Sequence, residues 1–134
     1  MMKKKEPYAS QEEYNNRVIH YDDITAFQPL PGLNAHIVSS EKMTVSFMTV
    51  DPNTYFPIHH HEHEQIMIAT DGAFDLVIDG KLYPLKKGDV TILPSNLEHS
   101  GYVSNEGYSS IEVFSPPRQD FIAKLEAMKK SQSK

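Results

Sequence analysis

Residues 58–70 read Ile-His-His-His-Glu-His-Glu-Gln-Ile-Met-Ile-Ala-Thr, and four of the seven histidines lie between positions 59 and 63. A β-strand sends successive side chains to opposite faces. His59, His61, His63 and Gln65 then share one face, and His60, Glu62 and Glu64 share the other, which suits solvent. Three imidazoles on one face make a poor apolar core and a good metal site, because neutral imidazole is the commonest metal ligand. The rival reading is a histidine-rich surface strand. Against it, the alternation is kept throughout, and Ile66, Met67 and Ile68 continue directly into a buried strand. The same parity turns Glu64 outward unless a bulge shifts the register.

Working outward, Met43–Val50 alternates at strand period, and Asp51-Pro52-Asn53 is a turn signal. Ile58–Thr70 reads as one strand and Ala73–Ile78 as the next. Asp79-Gly80 predicts a type I′ hairpin turn, with Lys81–Leu85 as the returning strand. Lys86-Lys87-Gly88-Asp89 turns again before Val90–Leu93, and Tyr108–Phe114 is the last clear strand. Short strands with turns every 8–12 residues or so predict an all-β sandwich or small barrel. After Pro116-Pro117, the residues Phe121, Ile122, Leu125 and Met128 recur at helical spacing. They predict a short C-terminal helix over about 117–130, capped by Ser115, with its apolar stripe against the outside of the barrel. Residues 1–16 are polar and read as a disordered or extended arm, leaving 17–134 as a single domain.

Composition removes several function classes. The 134 residues carry 13 Lys and Arg against 18 Asp and Glu, a net charge of −5, so the basic footprint of a nucleic-acid binder is missing. There is no cysteine, which excludes disulfides, thiolate metal sites and thiol nucleophiles. No apolar run approaches the roughly 20 residues that span a bilayer. The basic N-terminus lacks the apolar region of a secretory signal. The expectation is a cytoplasmic protein with neither nucleic acid nor membrane as partner.

Two spaced motifs then resemble those of the cupins. The first family motif, Gly-x5-His-x-His-x3/4-Glu-x6-Gly, stands here as Asn53-x5-His59-x-His61-x3-Gln65-x6-Gly72. The second, Gly-x5-Pro-x-Gly-x2-His-x3-Asn, stands as Gly88-x5-Pro94-x-Asn96-x2-His99, with Val103 at the final Asn. The resemblance implies a double-stranded β-helix (jelly-roll) barrel, motifs spanning 53–99, and one divalent transition metal (nickel, zinc, iron or manganese) on His59, His61, Gln65 and His99. It also implies a homodimer paired through the sheets. Asparagine tolerates the left-handed backbone, so Asn53 and Asn96 can keep the turns that glycine makes in the family. Gln65 in place of Glu leaves the ligand set uncharged, which favours an anionic substrate. His63 falls between ligand positions and is read as lining the pocket or supporting the ligands. His60 is read as exposed, and His20 and His36 carry no pattern.

The segment Glu112-Val113-Phe114-Ser115-Pro116-Pro117-Arg118-Gln119-Asp120-Phe121 is similar to the end of the KdgF-type cupins, whose acid, Phe and Arg are spaced as Glu112, Phe114 and Arg118 are here. That resemblance implies linearisation of 4,5-unsaturated monouronates from pectin or alginate breakdown. Glu112 would move protons, with Arg118, Phe114 and His63 against a small anionic substrate. Two other readings stand beside it: an iron-dependent dioxygenase, and a non-catalytic small-molecule-binding cupin. For Arg118 the alternative is an ion pair with Asp120 or Glu112.

Overall fold

The computed structural model describes residues 1–132; the last two residues of the expected 17–134 domain lie outside them. In chain order it contains α1 (Gln11–Asn15), a 3-10 turn (Tyr21–Asp23), β1 (Leu33–Ser39), β2 (Thr44–Val50), β3 (Tyr55–His59), β4 (Glu64–Ile78), β5 (Lys81–Lys86), β6 (Val90–Leu93), β7 (His99–Ser115) and α2 (Gln119–Gln132). All pairing between these strands is antiparallel. The long strands β4 and β7 pair along most of their length and belong to both walls of a jelly roll. The N-terminal half of β4 lies between β6 and the C-terminal half of β7, which continues to β2 and β1. The C-terminal half of β4 lies between β5 and the start of β7, which continues to β3.

The bends that carry the long strands from wall to wall have a local cause. The β4–β7 register shifts between Ala69 and Asp71 and again between Gly72 and Phe74. Gly72 has φ 71° there, and a Cβ on it would stand 2.1 Å from the Gly107 carbonyl oxygen. Only glycine permits both the backbone conformation and the approach. Asn53 (φ 61°) and Asn96 (φ 64°) hold left-handed backbone, as asparagine at the two family glycine positions allows. Asp79 (φ 52°) and Gly80 (φ 71°) form the type I′ turn between β4 and β5.

Inward residues alternate along β1, along much of β4 and along the C-terminal half of β7. Leu33, Ala35 and Ile37 on β1, Met67, Ala69, Phe74 and Leu76 on β4, and Val103 and Phe114 on β7 are buried in one cluster. Val103 faces Phe74 in the ladder, so the position of the family's second-motif asparagine is here an apolar core position.

Several elements differ from the sequence reading. The expected strand Ile58–Thr70 is interrupted at residues 60–63, because the chain crosses there from one wall to the other. His59 pairs with His99 in the first wall, and Glu64 pairs with Ser115 in the second. The crossing backbone is held from the side instead: Asn96 N–H donates to the His61 carbonyl and Ser95 Oγ to the Glu62 carbonyl. No break separates Thr70 from Ala73, since the bulges bend β4 without ending it. β7 begins at His99, well before Tyr108. β1 was not anticipated; its signal, Leu33, Ala35 and Ile37 alternating with Asn34 and His36, is weak because alanine is small and histidine ambiguous. Within residues 1–16, α1 forms one turn under a capping box of Ser10 and Glu13. Ser115 does not cap α2: its hydroxyl donates to the Lys42 carbonyl, and the helix starts at Gln119. Nor does α2 lie on the barrel's outside. Phe121 packs edge-on against Phe114 and Phe27, so the helix closes one end of the barrel.

Candidate metal centre and the cavity beneath it

The crossing between walls brings His59 and His61 to the start of β7, where His99 stands. One ring nitrogen of each lies within 4.8 Å of the others. In all three, Nδ1 faces a backbone carbonyl: Pro57 at 2.7 Å for His59, His63 at 3.0 Å for His61 and Leu97 at 2.8 Å for His99. A carbonyl only accepts, so each Nδ1 carries the proton and each Nε2 is left with its lone pair. That is the second-layer arrangement that orients metal-ligating imidazoles. Burial, together with the positive charge of Arg118, holds His61 below its usual value. Burial likewise lowers His99, to about 4. Both are neutral near pH 7, as a metal requires.

Gln65, at the start of β4, adds a fourth group. Its Nε2 donates to Glu112 Oε1 at 2.5 Å, which turns Oε1 toward His61 Nε2 at 3.0 Å. Two acceptor atoms then face each other. A cation between them resolves the repulsion, so the donor set fits a divalent ion. His59, His61 and His99 converge with Gln65 beside His61, and Glu64 is exposed on the opposite face.

Beneath them lies a cavity of about 360 Å³, lined by the four residues just named and by Glu112, Phe114 and Arg118. Its volume is in the range of small-molecule sites. Glu112 is 2% exposed. Burial pushes its carboxyl up to about 7, only partly offset by the Ser110 hydroxyl and the Gln65 amide. Phe114 stands edge-on to His61, with ring centres 5.8 Å apart.

Two residues sit differently from expectation. His63 does not line the cavity; it packs behind His61 and beside Phe114, with centroid distances of 5.3 and 6.4 Å. Arg118 does line the cavity, but Asp120 already holds it, through Nε at 3.0 Å and Nη2 at 2.8 Å. Its guanidinium lies 3.7 Å from the Phe121 ring centre and 4.7 Å from that of Phe114, and its backbone N–H donates to Thr44 Oγ1. Sequence reasoning did not single out Thr44, Tyr108 or Ser110. The last two were findable by parity, since 108, 110, 112 and 114 share the inward face of β7.

Fold and site together define a cupin, and the chain belongs to that family: residues 46–115 match its Cupin domain description. The chain is 33% identical over 104 residues to the pectin degradation protein KdgF of Dickeya dadantii, covering 75% of this chain and 94% of that one. The structure of KdgF from Halomonas sp. superposes with a TM-score of 0.69 at 25% identity, covering 75% of this chain and 93% of the other. An RmlC-like cupin from Shewanella frigidimarina gives a TM-score of 0.72 at 23% identity over 78% of this chain and 95% of its own, which speaks to the fold alone. No helix among the described residues is long and apolar enough to cross a membrane.

Proposed function

We propose that this cupin is a metal-dependent enzyme that linearises 4,5-unsaturated monouronates from pectin or alginate breakdown. The observation that carries the proposal is the buried Glu112 carboxyl, hydrogen bonded to the Gln65 amide beside three convergent imidazoles, in a chain similar to a pectin degradation protein. His59, His61, Gln65 and His99 would hold one divalent ion, whose Lewis acidity polarises a substrate oxygen.

The reaction moves one proton and no redox equivalents. The anomeric hydroxyl loses its proton, C1=O forms and the bond from C1 to the ring oxygen breaks. The released enolate takes a proton on C4 and becomes a ketone at C5. A carboxyl poised at about 7 can accept the first proton and return one near neutral pH. Arg118 has five N–H donors and gives two to Asp120, so its remaining edge can meet the substrate carboxylate. Phe114 packs on the ring. His63 acts through His61 and not by touching substrate.

The test is the decay of unsaturated-uronate absorbance with metal-loaded protein. Glu112→Gln should lower kcat by roughly 10²–10⁴-fold, and Arg118→Ala should mainly raise KM, by about 10- to 150-fold. No acceleration with either pectin- or alginate-derived substrate overturns the assignment. Oxygen uptake in its place would identify a dioxygenase.

We also propose a homodimer. Across the outer face of one wall run two apolar rows, Val38-Val45-Val113-Ile66-Ile92 and Phe47-Ile111-Ile68-Val90, fixed by the strand registers. Tyr21 stacks on Phe47 and meets His36 beside it edge-on, at one end of the second row. The rest is uncharged and β-branched, a surface that complements its own copy about a two-fold axis.

A further inference from the structure

Below Glu112 the cavity has an inner end that the proposed chemistry does not use. Three buried polar atoms there, Glu112 Oε2, Ser110 Oγ and Tyr108 OH, make no hydrogen bond of normal length and angle, although the Ser110 hydroxyl stands close enough to both neighbours to favour their charged forms. They belong to alternate residues of β7, all three line the cavity, and the residues are 2%, 3% and 6% exposed. A buried polar group without a partner has lost its hydration and gained nothing, so native proteins rarely leave one, and three in a column mark groups placed for a polar occupant.

The facing wall says what kind of occupant. Ser110 stands between Met48 and Ala69 in the ladders, and Met48, Met67 and Leu76 complete an apolar side. Water on the polar column would leave the apolar side without contacts. A ring with hydroxyls along one edge and C–H groups on its face matches both sides. Successive inward residues of a strand are about 7 Å apart, so a monosaccharide held beside Glu112 reaches Ser110 with the Tyr108 phenol beyond. The floor is rigid, because the Tyr108 ring stacks on Phe74 with centroids 5.1 Å apart and Phe74 fills the hollow over Gly101. Burial, with the Glu112 carboxyl nearby, pushes the Tyr108 phenol up, so it stays a donor.

We propose that Ser110 and Tyr108 form a hydroxyl-reading subsite, which binds the hydroxyls of a sugar acid and selects it over ring carboxylates that lack them. The class of ligand rests on the sugar-acid reading above. The test is calorimetric binding to full-length, nickel-loaded protein of two stable probes, D-galacturonate and cyclohexanecarboxylate. Wild type should prefer galacturonate by at least about 10-fold. Ser110→Ala and Tyr108→Phe should each weaken galacturonate by about 5- to 15-fold and leave cyclohexanecarboxylate unchanged. Equal loss for both probes, no loss for either, or no galacturonate binding to wild type overturns the subsite. A second measurement guards against a purely structural role. Each variant removes an unsatisfied buried hydroxyl, so the ligand-free Tm should hold or rise by about 3–5 °C, and a fall would show that the hydroxyls have partners in the fold. Probe discrimination without uronate turnover removes the linearisation reading and keeps the subsite; turnover without discrimination does the reverse.

Discussion

Gly101 has no side chain because Phe74 occupies the space: a Cβ there would lie 2.0 Å from the Phe74 ring tip. The ring cannot retreat, since Tyr108 stacks on one side of it and Phe56 packs edge-on against it. Gly101→Ala should destabilise the fold by about 1–3 kcal/mol through overpacking, read from urea denaturation; a change under roughly 0.5 kcal/mol would mean that the aromatic stack yields. The ligand assignment is tested at the same scale. His61→Ala and His99→Ala should abolish stoichiometric metal, Gln65→Ala should weaken binding, and Glu64→Gln should leave it intact, all by elemental analysis of the purified variants. Glu64→Gln losing metal while Gln65→Ala keeps it would show that the register after His63 is the other one.

The start of α2 is set by an ion pair and by stacking, because Ser115 is occupied elsewhere. Asp120 lies two residues beyond Arg118 and is lowered from 3.8 to about 2, chiefly by the Arg118 hydrogen bonds. A carboxylate depressed in the fold contributes stability that is complete above its ordinary value. That stability is lost as pH falls from about 4 toward about 2. Asp120 is half exposed, so solvent screening keeps the contribution under about 1 kcal/mol. In acid titrations of stability, Asp120→Asn should lack this small loss between pH 4 and 2. Superimposable profiles would mean that the aromatic faces of Phe114 and Phe121 hold Arg118 without help.

At the scale of the molecule, the apolar rows make the prediction. Ile92 and Val90 are 65% and 61% exposed, at the ends of rows that cross five and four paired strands. Burying such a face in a second copy is worth about 25 cal/mol per Å² of apolar surface. Ile92→Lys would place a charge in the apolar row of each copy. Light scattering should give a dimer for the wild type and a monomer for Ile92→Lys, with metal content unchanged. A wild-type monomer removes the dimer proposal.

The local rules read from sequence were those that depend on neighbours along the chain. Strand parity separated His61 and Gln65 from Glu64, the Asp79-Gly80 turn followed from its left-handed preference, and asparagine at 53 and 96 carried the turns that glycine makes in the family. These need only backbone sterics and period-two alternation. Tertiary structure decided what depends on a residue's partner across the sheet. The histidine stretch is a crossing between two walls because its backbone bonds go to Ser95 and Asn96, more than thirty residues on. Arg118 meets Asp120 before any substrate, and His63 turns behind His61. Whether Ser110 and Tyr108 find partners is set by Met48 and Phe74, residues on other strands. Alternation tells which way a side chain points; only the closed barrel tells what it meets there.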